Sequence, residues 1–183
     1  ICYDNEAYMN TGIQRSGSTP MFAATTTTPA GSKTAGKQVR RKNLEMIMAA
    51  HKIPYIATAS LAFLPDLERK VKKAAEITRA GKGLAFIHIH QPCATGWYFP
   101  EAKTVEIGRL AVQTGSWPLM EIEDGSFKLN NKPKELKPLA EYMKPQQRFR
   151  HLTESQMEML QKDVQNEWQA LLELEKKGRF PGY

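Results

Sequence analysis

The stretch "YDNEAYMNTG" holds the residue types that most invite chemistry. Asn5, Asn10, Thr11 and Gly12 follow a short apolar run, "ICY", that reads as a buried strand end. In an open α/β sheet, ligands sit beyond the carboxyl ends of strands. Carboxamide oxygens, a hydroxyl and an unshielded backbone at such a point suit Mg²⁺ together with a phosphate. Magnesium takes hard oxygen ligands in octahedral geometry and often shares one or two protein groups with substrate phosphates. The same residue types also build ordinary turns.

Cys93 is the second candidate. It lies between Pro92 and a glycine-containing loop, "PCATGW", and reads either as a small packed residue or as a thiolate ligand. His88 and His90 alternate along an apolar segment, so both face one side of a strand. No third ligand stands at a suitable spacing, and hydrogen-bonded sheet histidines are the favoured reading.

These residues need a frame. Residues 9–37 are rich in Gly, Thr, Ser and Pro and show no period, which marks a long functional loop. A helix is expected near 42–52, with Leu44, Ile47, Met48 and His51 on one face. Ile53 to Ala59 reads as a strand, and "LPDLERKVKKAAEITRAGKG" as a helix. Pro65 suits its first turn, Leu67, Val71, Ala74 and Ile77 form its stripe, and Gly81 suits a left-handed cap. Gly83 to His90 reads as a strand, and residues 101–114 as a helix ending near Gly115. "PLMEIEDGSFKLN" predicts a hairpin turning at Asp124-Gly125. Thr153 to Lys177 predicts a long helix with a Thr153/Gln156 capping box and a Gly178 stop. Met157, Leu160, Val164, Leu171 and Leu174 line one side of it, a stripe for its own domain or for a partner subunit.

The expected class is α/β: a doubly wound, mostly parallel sheet with a C-terminal helical extension. Three segments follow: 1–115 as an α/β domain, 116–152 as hairpin and connection, and 153–183 as a helix that could clasp a second subunit.

The chain has 183 residues and a net charge of +7. Residues 1–92 carry 13 Lys and Arg against 6 Asp and Glu, and the rest carry 13 against 13. The excess is densest from Lys33 to Lys42, with five cations and no acid. This run reads as a solvated basic surface, or as a contact for phosphates or an acidic protein. No helix-turn-helix, zinc-finger or RNA-reading aromatic motif accompanies the charge, so nucleic acid is not expected. No apolar run reaches the length of a bilayer span, so no membrane is expected either. Two cysteines are too few for a disulfide framework, which sets a reducing, cytoplasmic compartment as the expectation.

The pattern Asn5, Tyr8, Asn10, Thr11, Gly12, Gln14, Ser18, Thr19 and Pro20 resembles the second half of a thiamine diphosphate motif. It is the form found in the 2-oxoacid:ferredoxin oxidoreductases, in the β subunit of the pyruvate type. "ATTTTPAG", "GKQVRRKN", "PCATGW" and "QQRFRHL" follow in the same order as in that subunit, so the resemblance runs from residue 1 to about Leu152.

The resemblance implies roles. The Asn5 side chain and the Ala7 carbonyl would ligate Mg²⁺. Asn10 would face the thiazolium and the 2-oxoacid. Thr11 and Gly12 would sit against the diphosphate and the cleft, with Gln14 beside them. Cys93 would give the last thiolate of a [4Fe–4S] cluster, which needs four. The other three, and the Gly-Asp-Gly half of the thiamine motif, would lie upstream of Ile1. The chain is therefore expected to be the C-terminal part of a longer polypeptide. Glu6 is given no catalytic role, because the activating glutamate of the family comes from another domain or subunit.

The implied activity is oxidative decarboxylation of a 2-oxoacid with CoA to acyl-CoA and CO₂, with electrons leaving through the cluster to ferredoxin, in either direction. The implied partners are the other subunits, ferredoxin, CoA and the 2-oxoacid. A non-oxidative thiamine-dependent decarboxylase or synthase, and a basic binding module without catalysis, are the alternatives.

Overall fold

A computed structural model describes residues 1–180 and Tyr183. Five strands form one sheet in the order β1-β3-β2-β4-β5. They are β1 (Cys2–Asp4), β2 (Tyr55–Ser60), β3 (Ala85–His90), β4 (Met120–Glu123) and β5 (Ser126–Leu129). β1, β3 and β2 run parallel, with Asp4 beside His90 and Ser60 beside His90 on the other edge. β4 joins β2 antiparallel and β5 completes the hairpin. The hairpin therefore extends the main sheet, whereas the sequence suggested a separate segment. Asp124 and Gly125 both take positive φ, 46° and 82°, as a tight two-residue hairpin turn requires.

The class is α/β with helices on both faces. β2 explains why. Tyr55, Ala57 and Ala59 point to one face, where Leu67, Ala74 and Ile77 of α2 (Leu64–Arg79) cover them with Ile87 and Ile89. Ile56 and Thr58, like His88 and His90, point to the other face. That side is covered by α1 (Leu44–Ala50), by α4 (Thr104–Gln113) through α6 (Glu154–Lys177), and by the long loop before α1.

Most local signals produce their elements. Pro65 sits in the first turn of α2, and Gly81 follows its C-terminus at φ 67°. α6 starts with both bonds of the Thr153/Gln156 capping box and stops at Gly178 in the left-handed region. Its stripe packs on the chain's own cores: Leu160 and Val164 in one, Trp168 and Leu171 in the other.

Two expectations need correction. "ICY" is not a buried strand end. β1 is an edge strand, with Ile1 67% and Tyr3 64% exposed and only Asp4 buried. In α1 the expected stripe is not the buried face: Ile47 and His51 are exposed, and Glu45 and Ala49 are buried instead. Glu45 turns inward because it has a charged partner in the sheet, described below. No helix among the described residues is long and apolar enough to cross a membrane.

Candidate functional site

β1 feeds directly into the loop that carries the motif. At the strand's end Asp4 is buried and accepts three hydrogen bonds. The Glu6 N–H donates at 2.7 Å, the Ser18 hydroxyl donates as well, and His88 Nε2 approaches at 2.7 Å. The other nitrogen of His88 meets Glu45 at 2.5 Å. A ring held between two carboxylates donates from both nitrogens as an imidazolium. Burial alone would lower the His88 pKa, but the bonds to Asp4 and Glu45 outweigh it and hold the ring near 9. Burial likewise pushes Asp4 up, yet its donors bring it down to about 2. His90 behaves oppositely. Burial, reinforced by the nearby Arg41 cation, drops it to about 3, and neutral His90 pairs with the Tyr142 hydroxyl at 3.3 Å. So the two histidines are sheet residues engaged with neighbours, and of their four ring nitrogens His90 Nδ1 has no partner among the described residues.

Glu6 sits at φ 65° with its side chain 2% exposed. Its carboxylate receives Arg148 at 2.5 Å, and Arg41 lies 3.8 Å away. Arg148 also stacks 3.8 Å above the Trp97 ring. Glu6 is thus committed to an internal ion pair.

From residue 8 the loop folds into a miniature hairpin. Tyr8 and Gln14 exchange backbone bonds of 3.0 and 3.2 Å, and the N–H groups of Gly12 and Ile13 close on the Met9 carbonyl. Gln14 locks the tip from the side: it accepts from the Thr11 hydroxyl at 2.6 Å and donates to the Thr11 carbonyl at 2.5 Å. Asn10, Thr11 and Gly12 stand exposed at this tip. Gly12 has φ 116°, closed to most side chains, and Ile13 has φ 63°, an outlier for a β-branched residue. Strain of this kind persists only where the surroundings over-determine it. Lys37 contributes here, since its buried ammonium donates to the carbonyls of Gly17 and Thr19, and the Thr19 hydroxyl donates to the Glu6 carbonyl at 2.6 Å.

The second candidate lies against the first. Cys93 caps the short turn α3 (Ala94–Trp97), and the Gly96 N–H donates to its sulfur at 3.4 Å. Gly96 is also where the loop lands: a Cβ there would fall 2.1 Å from Met9 Sδ and 3.5 Å from Cys93 Sγ. Trp97 Nε1–H donates to the Asn5 carbonyl at 2.9 Å. The structure therefore brings Asn5, Met9 and the Cys93 turn together. Cys2 is half-buried on β1, and burial with the Asp4 charge pushes its thiol up. A cavity of about 610 Å³ opens beside this junction, between Ile13, Thr25, Tyr98, Arg148 and Arg150.

The donor set can be tested against the groups that the motif suggests. Among the described residues, no hydrogen bond engages the Asn5 carboxamide or the Ala7 carbonyl, so two neutral oxygens stand free beyond the strand. That fits a divalent cation beside a diphosphate. A half-buried thiol receiving a backbone N–H fits one cluster thiolate. No group of three or more His, Cys, Asp or Glu side chains among the described residues could hold a metal ion by itself.

The basic run is split: Lys33, Arg40 and Lys42 are exposed, while Lys37 and Arg41 turn inward. Lys37 is spent on carbonyls, Arg40 pairs with Asp163 at 2.6 Å, and Arg41 stacks 4.7 Å over Trp117.

Residues 1–89 match the family described as thiamine pyrophosphate enzyme, C-terminal TPP binding domain. Over those residues the chain is similar to the thiamine pyrophosphate enzymes. The matched span covers β1, the motif loop, α1, β2, α2 and most of β3. Among curated relatives, the pyruvate synthase subunit PorB of Methanothermobacter marburgensis is 56% identical over 171 residues, covering 93% of this chain and 58% of the relative. The ketoisovalerate oxidoreductase subunit VorB of Pyrococcus abyssi is 51% identical over 176 residues, covering 95% and 55%. The pyruvate synthase subunit PorB of Thermotoga maritima is 44% identical over 180 residues, covering 96% and 54%. The chain spans a little over half the length of these relatives.

Sequence reasoning missed the buried charges below the motif loop: Asp4, Glu45 and His88, then Glu6, Arg41 and Arg148. A signal was present. Asp4 and Glu6 stand two apart where an apolar run ends, and two acids turned inward there need cations or a histidine opposite them.

Proposed function

We propose that this chain is part of the thiamine-binding subunit of a 2-oxoacid:ferredoxin oxidoreductase of the pyruvate type. It would act with further subunits, CoA and ferredoxin. The observation that carries the reading is the contact between the motif loop and the Cys93 turn, with Met9 seated on Gly96. A thiamine site and a cluster thiolate side by side suit a decarboxylase that passes electrons on. A non-oxidative enzyme has no use for the second. The names and identities of the relatives support the substrate class, with the pyruvate synthase subunits reaching 56% and the ketoisovalerate subunit 51%.

In this reading the Asn5 carboxamide and the Ala7 carbonyl would hold Mg²⁺, which would supply positive charge beside the diphosphate. Both are neutral, so they leave the charge balance of the pocket to the metal and the cofactor. Asn10, at the exposed tip, faces the thiazolium and the 2-oxoacid. Thr11 and Gly12 border the diphosphate, and Gln14 holds the tip in shape through its two bonds to Thr11. Thiamine diphosphate, when bound, supplies the carbanion chemistry by which a 2-oxoacid loses CO₂. Cys93 gives one thiolate to a [4Fe–4S] cluster. The remaining thiolates and an acidic metal ligand come from sequence that this chain does not contain.

The test uses the complete oxidoreductase purified without oxygen. CoA-dependent reduction of ferredoxin is measured with pyruvate, 2-oxoisovalerate and 2-oxoglutarate. The expected result is the highest kcat/KM with pyruvate and no turnover without CoA. A colourless, iron-free complex that still decarboxylates would overturn the oxidative reading. A higher kcat/KM for the branched acid would move the chain to the ketoisovalerate type.

A further inference from the structure

Trp97 stands at the junction of the two candidate sites. It is fully buried. Its backbone N–H donates to the Cys93 carbonyl at 2.9 Å, which makes it part of the cysteine's own turn. Its indole N–H crosses to the other site and donates to the Asn5 carbonyl, also at 2.9 Å. The ring cannot turn away from that carbonyl, because Arg148 stacks on its face at 3.8 Å and His90 and Phe99 pack 5.6 and 6.0 Å from its centroid. Arg148 is in turn held by Glu6, the residue after Asn5. The peptide between Asn5 and Glu6 is therefore gripped from both ends through one indole.

Resting on the function proposed above, we propose that Trp97 is a positioning residue that fixes the Asn5 metal-binding group relative to the Cys93 turn. One side chain then sets the geometry of both cofactor sites. A phenylalanine would fill much of the same space but would leave the Asn5 carbonyl without its donor. That peptide would be free to shift, and the Asn5 carboxamide with it.

The control lies in the same core. Trp117 is 1% exposed, donates to the Ala59 carbonyl at 3.0 Å and carries Arg41 at 4.7 Å. It makes the same kinds of contact, but its indole N–H serves the end of β2, and it reaches the junction only indirectly, through His90 and through Arg41 beside Glu6.

The experiment compares Trp97→Phe and Trp117→Phe in the assembled oxidoreductase. Thiamine diphosphate affinity is titrated at saturating Mg²⁺, and the EPR spectrum of the reduced cluster is recorded. Trp97→Phe is expected to raise the thiamine diphosphate Kd about tenfold, the size of one lost hydrogen bond to a buried group, and to change the line shape of the cluster nearest Cys93. Trp117→Phe is expected to lower the Tm while leaving the Kd within about twofold, well inside one hydrogen bond, and the spectrum unchanged. If Trp97→Phe does not assemble, benzothienylalanine at position 97 keeps the ring shape and removes only the N–H, and the same two readouts apply. Wild-type values in both readouts, a change in only one of them, or equal changes in the Trp117 variant would overturn the inference. A wild-type complex that takes up neither thiamine diphosphate nor iron would instead overturn the function on which it rests.

Discussion

Glu6 and Arg148 are 142 residues apart in sequence and meet at 2.5 Å beneath the motif loop, each side chain 3% exposed or less. Removing one partner of such a pair strands a charge in a medium that cannot solvate it, at a cost of about 3–5 kcal/mol. Arg148→Met is expected to lose stability in that range by urea unfolding. Glu6→Gln/Arg148→Met, with no charge left behind, is expected to recover a large part of the loss. Equal losses in the single and double variants would show that the pair matters for shape alone.

The two histidines of β3 give stability opposite pH dependences. His88 has its folded pKa raised to about 9 by its carboxylates, against 6.5 when free. Its contribution is complete below pH 6.5 and fades as pH rises through 9. His90 has its folded pKa lowered to about 3 by burial. Its contribution is complete above pH 6.5 and fades as pH falls toward 3. Stability is therefore expected to peak near pH 6.5. His88→Gln should flatten the alkaline limb of Tm against pH and spare the acid one, and loss of both limbs would contradict the assignment.

Gly96 is the landing point of the motif loop. In Gly96→Ala the new Cβ would collide with Met9 Sδ and Cε, the outer part of a flexible side chain, so the fold should survive while the loop tip is pushed away. Overpacking of this kind costs about 1–3 kcal/mol. Thiamine diphosphate binding by the holoenzyme is expected to weaken roughly tenfold or more, since 1.4 kcal/mol is a factor of ten. Met9→Ala in the same chain is expected to restore part of it. A tighter or unchanged Kd in Gly96→Ala would separate the Met9 contact from the cofactor site.

The two cysteines should differ sharply. Cys93→Ala is expected to lower the iron content of the assembled complex by one cluster's worth and to bleach the matching visible absorption. Cys2→Ala, whose thiol burial and the Asp4 charge keep protonated, is expected to leave iron unchanged. Loss of iron with Cys2→Ala but not with Cys93→Ala would reverse the assignment.

The elements with local causes were legible in the sequence. α6 carries its own cap and stop, the hairpin its Asp-Gly turn, and α2 its proline and glycine. What was not legible depended on partners far away in the chain. The buried face of α1 is chosen by His88, 43 residues beyond Glu45, and that ion pair outweighs a better apolar stripe. β1 looked buried from "ICY" because sequence cannot say which strand ends at a sheet edge. The basic run is a surface only in part, because Lys37 finds carbonyls and Arg41 the face of Trp117 on other segments, which the run itself does not announce. The motif loop could be marked in advance as a candidate site. Its support by Lys37, Trp97 and Arg148 could not, because a lysine bound to carbonyls leaves no pattern along the chain.

The long C-terminal helix has a consequence for how the chain comes apart. Leu160 and Val164 of α6 belong to the core beneath the motif loop, and Trp168 and Leu171 belong to the core beside the β4–β5 hairpin. Neither core can lose that helix without uncovering the other. The two should therefore open together, in one cooperative unit. In native-state hydrogen exchange, amides of β4 and of the Phe22–Ala23 segment would then share one opening free energy. Thiamine diphosphate bound at one end of the molecule would slow exchange at the far hairpin, without any contact between them.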